Sequence, residues 1–240
     1  MSQVSFRNVQ TERFHEDVGR QIARSIIRGD IAPGTALPSE SILIKQFEVS
    51  RVVIREALRS LAQRGLVEMW QGRRTTVLPE NRWDVLDPMI LTLFREEGRI
   101  KPLVRDFLWI RRQLEPQIAA DAARGSNCEL NKDLTGILQQ MEVLLEEPKL
   151  FFEADMAFHI RLAEATGNTV LRQLMTIISH LFNVSRDLTH EVATAPEGAL
   201  EWHNRIYSAI EKGDSEGARD TMARHLEWTT ERIMRSLASH

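Results

Sequence analysis

Four side chains in the C-terminal half combine the residue types and the spacing of a divalent metal site. Asp155 and His159 are four residues apart in a segment of helical periodicity, 149–166, so both side chains project from one helix face. His203 and His225 fall on the last two predicted helices, and their separation of 22 residues lets two antiparallel helices return to one level of a bundle. One carboxylate and three imidazoles suit zinc, nickel or manganese. The pattern predicts a metal site, although an isolated histidine is more often a surface or core residue.

Arginines recur one turn apart on a short predicted helix in the N-terminal part. Arg51 and Arg55 lie on a face beside the apolar one, and Ser50 is placed to cap this helix. The major groove of B-form DNA admits one helix, and arginine there bonds guanine or phosphate. Gly72 and Arg73 belong to a tight turn placed to lie over a neighbouring groove or phosphate strand. The pattern predicts a DNA-reading surface, against the alternative of an ordinary solvated face.

The elements that must carry these arginines follow the order of a winged helix-turn-helix. Apolar residues spaced by three and four predict helices, and glycine or proline marks their ends. Two short apolar and β-branched runs around a glycine-containing turn predict a hairpin. The predicted helices cover residues 11–29, 39–47 and 51–63, and the predicted strands cover 66–70 and 75–78. This order predicts a DNA-binding domain over residues 1–80.

Beyond residue 80 the strand signals stop and helical periodicity remains. The predicted helices cover residues 83–97, 103–124, 129–146, 149–166, 169–189, 197–212 and 215–237. The segment 81–102 is a linker or a first bundle helix, and Pro88 within it suits a first turn better than an interior. The sequence thus predicts a mainly α fold, in which a winged helix-turn-helix with a small β-hairpin precedes an all-α bundle over residues 103–240.

The charge distribution separates the same two parts. The 240-residue chain has a net charge of −3, but residues 1–80 carry 12 Lys+Arg and 9 Asp+Glu, a net of +3, while residues 81–240 carry 19 and 25, a net of −6. Because phosphate binding depends on positive charge, we expect a DNA partner at the N-terminal part. The single cysteine, the absence of a long apolar run and the lack of an export pattern predict a cytoplasmic protein with no membrane partner.

The N-terminal motifs resemble the signature of the GntR family of bacterial transcription regulators. The resemblance is carried by residues 37–40 (LPSE), 49–51 (VSR), 53–58 (VIREAL) and 65–67 (GLV). It implies operator contacts from Ser50, Arg51, Arg55 and Gly72. The sequence departs from the family at Ser41 and Arg74, where the family often has arginine and glycine. The first departure removes an expected DNA contact, and the second adds a cation to the wing.

Residues 103–236 resemble the all-helical FCD effector domain of FadR-type members. The resemblance implies that Asp155, His159, His203 and His225 bind one divalent cation at the floor of an effector cavity. It also implies that Arg111, or Arg112 if the register shifts by one, faces the cavity and binds a carboxylate, which matches the planar guanidinium. Asn183 and Arg186 are candidate further contacts to a hydroxylated acid. Residues 83–88 (WDVLDP) resemble a linker in members that respond to sugar acids.

These features predict a homodimeric transcriptional regulator, most simply a repressor, that binds the two half-sites of a palindromic operator. A small organic acid at the metal would weaken DNA binding by favouring another arrangement of the heads. Two alternatives stay open. One is a metal-responsive regulator in which the ion is the signal, and the other is a metal-dependent hydrolase, since an open metal site can activate water. No acid or base is visibly spaced for hydrolysis, so we expect no enzymatic activity.

Overall fold

The computed structural model describes residues 12–184 and 196–239 and is mainly α-helical, as predicted. Within these ranges it has ten α-helices, one short 3-10 helix and one two-stranded antiparallel sheet. The elements are α1 (Glu12–Arg28), α2 (Glu40–Phe47), α3 (Arg51–Gln63), β1 (Val67–Glu68), β2 (Thr76–Val77), the 3-10 helix Glu80–Arg82, α4 (Pro88–Glu96), α5 (Lys101–Arg124), α6 (Cys128–Val143), α7 (Pro148–Ala165), α8 (Thr169–Val184), α9 (Pro196–Glu211) and α10 (Ser215–Ser239). The chain forms two compact units, one ending at Arg99 and one beginning at Ile100.

The first unit is built on two amphipathic helices whose apolar faces meet. α1 buries Ile22 and Ile26, one turn apart, and α3 buries Ile54 and Leu58 at the same spacing. α1 packs against α3, and α2 packs against α3 through a turn in which Glu48 adopts a left-handed conformation with φ 55°. The helix-turn-helix predicted from the sequence is therefore present, and the face of α3 opposite Ile54 is left exposed.

The hairpin that follows is shorter than the sequence analysis predicted. The strands pair through Val67 opposite Val77 and Glu68 opposite Thr76. On the other side of β2, Ala36 forms a bridge with Thr76. The prediction of strands over 66–70 and 75–78 was wrong in extent: the Leu78 amide still donates to the Leu66 carbonyl at 2.9 Å beyond one end of the strands, whereas residues 70–74 at the other end are exposed and form the turn.

The helix predicted over 83–97 begins later, at Pro88. Asp87 caps it by accepting hydrogen bonds from two amides of its first turn, at 2.9 and 3.2 Å. Pro88 occupies a first-turn position, where its missing N–H costs nothing. Trp83 precedes the helix in an extended conformation, with its ring buried and its indole Nε1 donating to the carbonyl of Leu78 at 2.9 Å.

α4 lies in the first unit, where charged groups join it to α1. The carboxylate of Glu96 pairs with Arg20 at 2.5 Å and also with Arg24. Arg99, just past the end of α4, donates to the carbonyl of Ile27 at 2.6 Å. The residues that follow the wing are thus part of the compact N-terminal unit up to Arg99.

A glycine sets the junction between α3 and the segment before α4. Gly65 has φ +70°, the left-handed region that glycine adopts without a Cβ penalty. A Cβ on this residue would lie 2.0 Å from the carbonyl oxygen of Arg82. The guanidinium of Arg64 donates to the Asp87 carboxylate at 2.9 Å across the same junction. The close approach of these two backbones therefore requires glycine at this position.

The second unit is a bundle of α5 to α10. α10 packs along α5 and against α9, while α7 packs against α5, α6 and α8. Phe158, Phe182, Leu134 and Ile206 lie fully inside it. None of the described helices combines the length and the apolar character that a bilayer-spanning helix requires. Because α7, α9 and α10 meet in this core, polar side chains on their inner faces are brought together.

Candidate metal centre and nucleic-acid interface

The four side chains expected to bind metal converge inside the second unit. Asp155 and His159 come from α7, His203 from α9 and His225 from α10. One potential ligand atom from each residue lies within 4.8 Å of the others. The three imidazoles are buried, and the Asp155 side chain is 13% exposed. Three helices that are distant in sequence thus supply one compact donor set.

His203 shows how these donors are oriented. Its Nδ1 lies 2.7 Å from the carbonyl oxygen of Ala199, and since a carbonyl can only accept, Nδ1 carries the proton of the neutral ring. The lone pair of Nε2 therefore points inward, 3.2 Å from His159 Nε2 and 3.4 Å from Asp155 Oδ1. Acceptor atoms facing each other at these distances repel unless a cation or a proton lies between them. The donor set fits a divalent cation.

Burial keeps two of the imidazoles neutral. Desolvation lowers the pKa of His203 to about 4, although the Asp155 carboxylate partly opposes this shift. Burial and the neighbouring His203 lower the pKa of His225 well below its usual range. Neutral imidazole is the form that binds metals, so both rings are available as ligands near pH 7.

A buried ion pair borders the cluster. The Arg111 guanidinium, 3% exposed, contacts Glu115 Oε1 through Nε and lies 3.4 Å from Oε2 through Nη2. Glu115 Oε2 lies 2.6 Å from His159 Nδ1. Burial alone would raise the pKa of Glu115, but Arg111 and His159 outweigh it and lower that pKa to about 2. No role was predicted for Glu115 from the sequence.

A small cavity lies beside the donors. It is lined by Arg111, Phe152, Asp155, Phe182, Ala199, His225, Thr229 and Ile233. Its volume of about 10 Å³ is close to the space that one water molecule needs. Arg111 thus faces the cavity, whereas Arg112 points outward and lies 3.8 Å from Glu227.

Of the other two expected effector contacts, the structure describes only Asn183. Asn183 is exposed on α8 and does not line the cavity, because Phe182 takes the inward position of that turn. Arg186 lies outside the described residues. Sequence reasoning missed Thr229, whose buried hydroxyl has no hydrogen-bond partner in the described part of the chain. Its position four residues after His225 on α10 was the available signal.

The first unit presents the predicted nucleic-acid surface at the N-terminal end of α3. The Ser50 hydroxyl accepts from the Val53 amide at 3.4 Å, so it caps the helix as predicted. Arg51 is exposed, and Arg55 is 57% exposed with its Nε 3.1 Å from Glu40 Oε1. Such an exposed pair contributes little to stability, so Arg55 is available to a stronger anion such as phosphate.

The wing turn has the expected conformation. Gly72 has φ +74°, and Arg73 and Arg74 are exposed beside it. The amide of Arg73 donates to the carbonyl of Trp70 at 3.3 Å, which closes the turn. The Trp70 ring is 59% exposed next to these cations. Sequence reasoning assigned Trp70 to a strand and gave it no surface role.

Comparisons with known protein families match both units. The family model described as bacterial regulatory proteins, gntR family, matches residues 14–77, and the FCD domain model matches residues 106–227. The galactonate operon transcriptional repressor of Escherichia coli is 30% identical, covering 93% of this chain and 96% of its own length. The regulator LutR of Bacillus subtilis is 31% identical over 84% of this chain and 92% of its own, and the Uxu operon transcriptional regulator of Escherichia coli is 30% identical over 93% and 88%.

Solved structures share the fold. The Listeria monocytogenes protein Lar, described as controlling expression of the agr system, superposes with a TM-score of 0.60 at 20% identity, covering 97% of this chain and 99% of its own. McbR/YncC of Escherichia coli gives a TM-score of 0.52 at 17% identity, covering 95% and 99%. At these identities the likeness concerns the fold alone.

Proposed function

The chain belongs to the FCD-containing branch of the GntR family of bacterial DNA-binding transcriptional regulators. We propose that it is a homodimeric repressor whose operator affinity is controlled by a small carboxylate bound at a divalent metal. The observation that carries the sensor part is the convergence of Asp155, His159, His203 and His225 with their acceptor atoms facing one another. Zinc, nickel and manganese match this donor set.

The metal would supply coordination positions for the effector's acid and hydroxyl oxygens. Arg111 lines the same cavity and adds a planar cation that suits a carboxylate. The cavity has room for about one water molecule, so a hexonate-sized ligand requires Phe152, Phe182 or Ile233 to move aside. The names of the galactonate and Uxu operon regulators support a sugar acid as the effector class.

The DNA-binding part of the proposal uses the exposed end of α3 and the wing. In each protomer of the dimer, Ser50, Arg51 and Arg55 approach one major-groove half-site, and Gly72 and Arg73 reach an adjacent groove or phosphate strand. A two-fold dimer presents two such heads, which makes a palindromic operator the matching sequence. The effector releases DNA if it binds the DNA-incompetent arrangement more tightly, with a coupling of about 1–3 kcal/mol.

The proposal is tested by operator release. A duplex selected by the purified protein from random DNA is titrated with protein in fluorescence anisotropy, with and without Zn²⁺ and with galactonate or galactitol. We expect galactonate together with metal to weaken DNA binding about 5–150-fold. Galactitol, which lacks the carboxylate, is the matched control and should have no effect. Equal release of DNA by galactonate and galactitol would contradict a carboxylate effector. So would the absence of release with galactonate and with every other hexonate.

A second candidate function is favoured by the small size of the cavity. If the ion alone is the signal, no further space is needed beside the donors, and the protein is a metal-responsive regulator. Operator binding that changes on chelation alone, with no organic ligand present, would identify this case. The hydrolase alternative finds no support in the relatives reported above, which are transcriptional regulators.

A further inference from the structure

The metal cluster is backed by a buried chain of charged groups on α5 and α7. Glu115, 1% exposed, places Oε2 at 2.6 Å from His159 Nδ1. Arg111, one turn earlier on α5, holds the same carboxylate through Nε at Oε1 and through Nη2, which is 3.4 Å from Oε2. His159 is therefore contacted on one side by Glu115 and on the other by the donor cluster.

The two nitrogens of His159 face different partners. His159 Nδ1 lies 2.6 Å from Glu115 Oε2 without the alignment of a hydrogen bond, but a carboxylate oxygen this close repels a ring-nitrogen lone pair and attracts an N–H. The proton then belongs on Nδ1. The opposite nitrogen, Nε2, is left with its lone pair directed at His203 Nε2, 3.2 Å away inside the cluster. The contact with Glu115 thus selects the tautomer that can bind a metal through Nε2.

We propose that Glu115 is a positioning residue, which fixes the orientation and tautomer of His159 for metal binding, and that Arg111 anchors this carboxylate. The proposal rests on the metal site of the proposed function. Ligating histidines in metal sites generally donate their second N–H to such an outer partner, and loss of that partner typically weakens metal binding about 10–100-fold.

Arg111 serves two surfaces at once in this arrangement. It lines the cavity beside the donors and also holds Glu115. An effector carboxylate that bonds to Arg111 would therefore act on the partner of a metal ligand as well as on the metal itself. If the Arg111–Glu115 ion pair only stabilised the fold, its removal would not change the tautomer of His159. If Glu115 positions His159, its removal changes that tautomer, so an experiment can distinguish the two explanations.

The test uses the full chain, stripped of metal, and Zn²⁺ alone as the probe. Glu115→Gln keeps the shape of the side chain but removes the carboxylate. Because this change leaves the buried Arg111 charge without its partner and can prevent folding, the double variant Arg111→Gln with Glu115→Gln removes both charges. His159→Ala serves as the reference for loss of one ligand. The measurements are the Zn²⁺ dissociation constant by calorimetry and the histidine tautomers by ¹⁵N NMR in the metal-free state.

We expect the wild-type chain to bind one Zn²⁺ with His159 as its Nδ1–H tautomer. In Glu115→Gln, or in the double variant if the single one does not fold, we expect about 10–100-fold weaker binding and a weaker preference for that tautomer, because the amide oxygen is an uncharged acceptor. Zn²⁺ affinity within about twofold of wild type together with an unchanged tautomer would overturn the role of Glu115. A wild-type chain that binds none of Zn²⁺, Ni²⁺ and Mn²⁺ would overturn the metal site itself, and with it this proposal.

Discussion

His203 has both ring nitrogens committed, one to a backbone carbonyl and one to the donor cluster. Its removal should therefore greatly reduce the stabilisation by metal. This stabilisation is measured as the difference in Tm with and without metal, so a change in the stability of the metal-free protein does not obscure it. At 100 times its dissociation constant, Zn²⁺ stabilises a folded protein by about 2.7 kcal/mol, or roughly 5–10 °C in Tm for a chain of this size. We expect His203→Ala to lose most of this shift in differential scanning calorimetry.

The matched control is His180→Ala, which removes an exposed histidine from α8 in the same bundle. This variant should keep the full Zn²⁺ shift. A His203→Ala protein that retains the wild-type shift would show that α9 contributes no ligand.

The buried histidines also predict how the metal-free protein responds to acid. Burial lowers the pKa of His203 from 6.5 to about 4 in the folded state, so between these values the unfolded chain binds a proton that the folded chain does not. The contribution of neutral His203 to the free energy of unfolding is fully present above pH 6.5 and is lost as the pH falls towards 4. We expect this residue to make the free energy of unfolding about 2 kcal/mol lower at pH 5 than at pH 7.5 in urea titrations.

His225 shifts in the same direction and adds to the loss. A His203→Gln variant should show a visibly shallower pH dependence over this range. A metal-free wild-type protein with equal stability at pH 7.5 and pH 5 would contradict neutral, buried imidazoles.

How far single residues could be predicted depended on whether they share a helix. The spacing of Asp155 and His159 encodes a common face, so the pairing could be predicted from local periodicity. The contact between Glu115 and His159 joins α5 to α7, and no local pattern specifies which turns of two helices meet. The same limit explains why Asn183 was expected at the cavity, since one position on α8 separates it from the inward Phe182.

At the scale of elements, the junction between α3 and the segment before α4 depends on Gly65. Replacing it with alanine imposes a left-handed conformation costing about 1–3 kcal/mol, and the new Cβ meets the Arg82 carbonyl at 2.0 Å. We expect Gly65→Ala to destabilise the first unit by about 3 kcal/mol or more in calorimetric unfolding, and to weaken DNA binding accordingly.

Gly34→Ala is the control for backbone strain alone. Gly34 has φ +80°, but a Cβ there would meet nothing within 4 Å. Its substitution should cost about 1 kcal/mol. If Gly65→Ala and Gly34→Ala lower the free energy of unfolding equally, the contact with the Arg82 carbonyl contributes nothing to the cost at Gly65.

Helical elements were predicted well and short extended ones poorly. α3 and α10 have apolar periodicity over several turns, which sets their faces and approximate ends. The hairpin strands are two residues long, too short for alternation to fix their extent, and the pairing of β2 with residues 34–37 joins segments about 40 positions apart. The start of α4 is set by the Asp87 cap and by Pro88 in the first turn, and the apolar periodicity of residues 83–87 outweighed these signals in the prediction.

At the scale of the whole molecule, we predict that the two units carry separate tasks, and one substitution should separate them. Arg55→Ala removes an exposed arginine at the proposed groove contact. A bidentate contact with guanine is worth about 1–3 kcal/mol, and a dimer loses two of them, so operator affinity should fall at least about 30-fold in anisotropy titrations. The Zn²⁺-induced Tm shift should stay at the wild-type value.

Arg28→Ala removes another exposed arginine from the same unit, where it pairs with Asp30, and should leave operator affinity nearly unchanged. Loss of both DNA binding and Zn²⁺ stabilisation in Arg55→Ala, or of neither, would argue against separate head and sensor tasks. The charge division of +3 over residues 1–80 and −6 over residues 81–240 supports a loss of DNA binding alone, since positive charge is concentrated on the N-terminal part.

The origin of the four donors on α7, α9 and α10 has a consequence for the life of the protein in a cell. An ion held by Asp155 and His225 ties together points 70 residues apart, and so restrains the chain against opening much as a covalent crosslink would. Proteases cleave the opened form, and a loss of about 1–2 kcal/mol changes protein abundance several-fold. With the ion bound as proposed, a cell short of metal would degrade this regulator faster, and the number of copies would itself report metal supply.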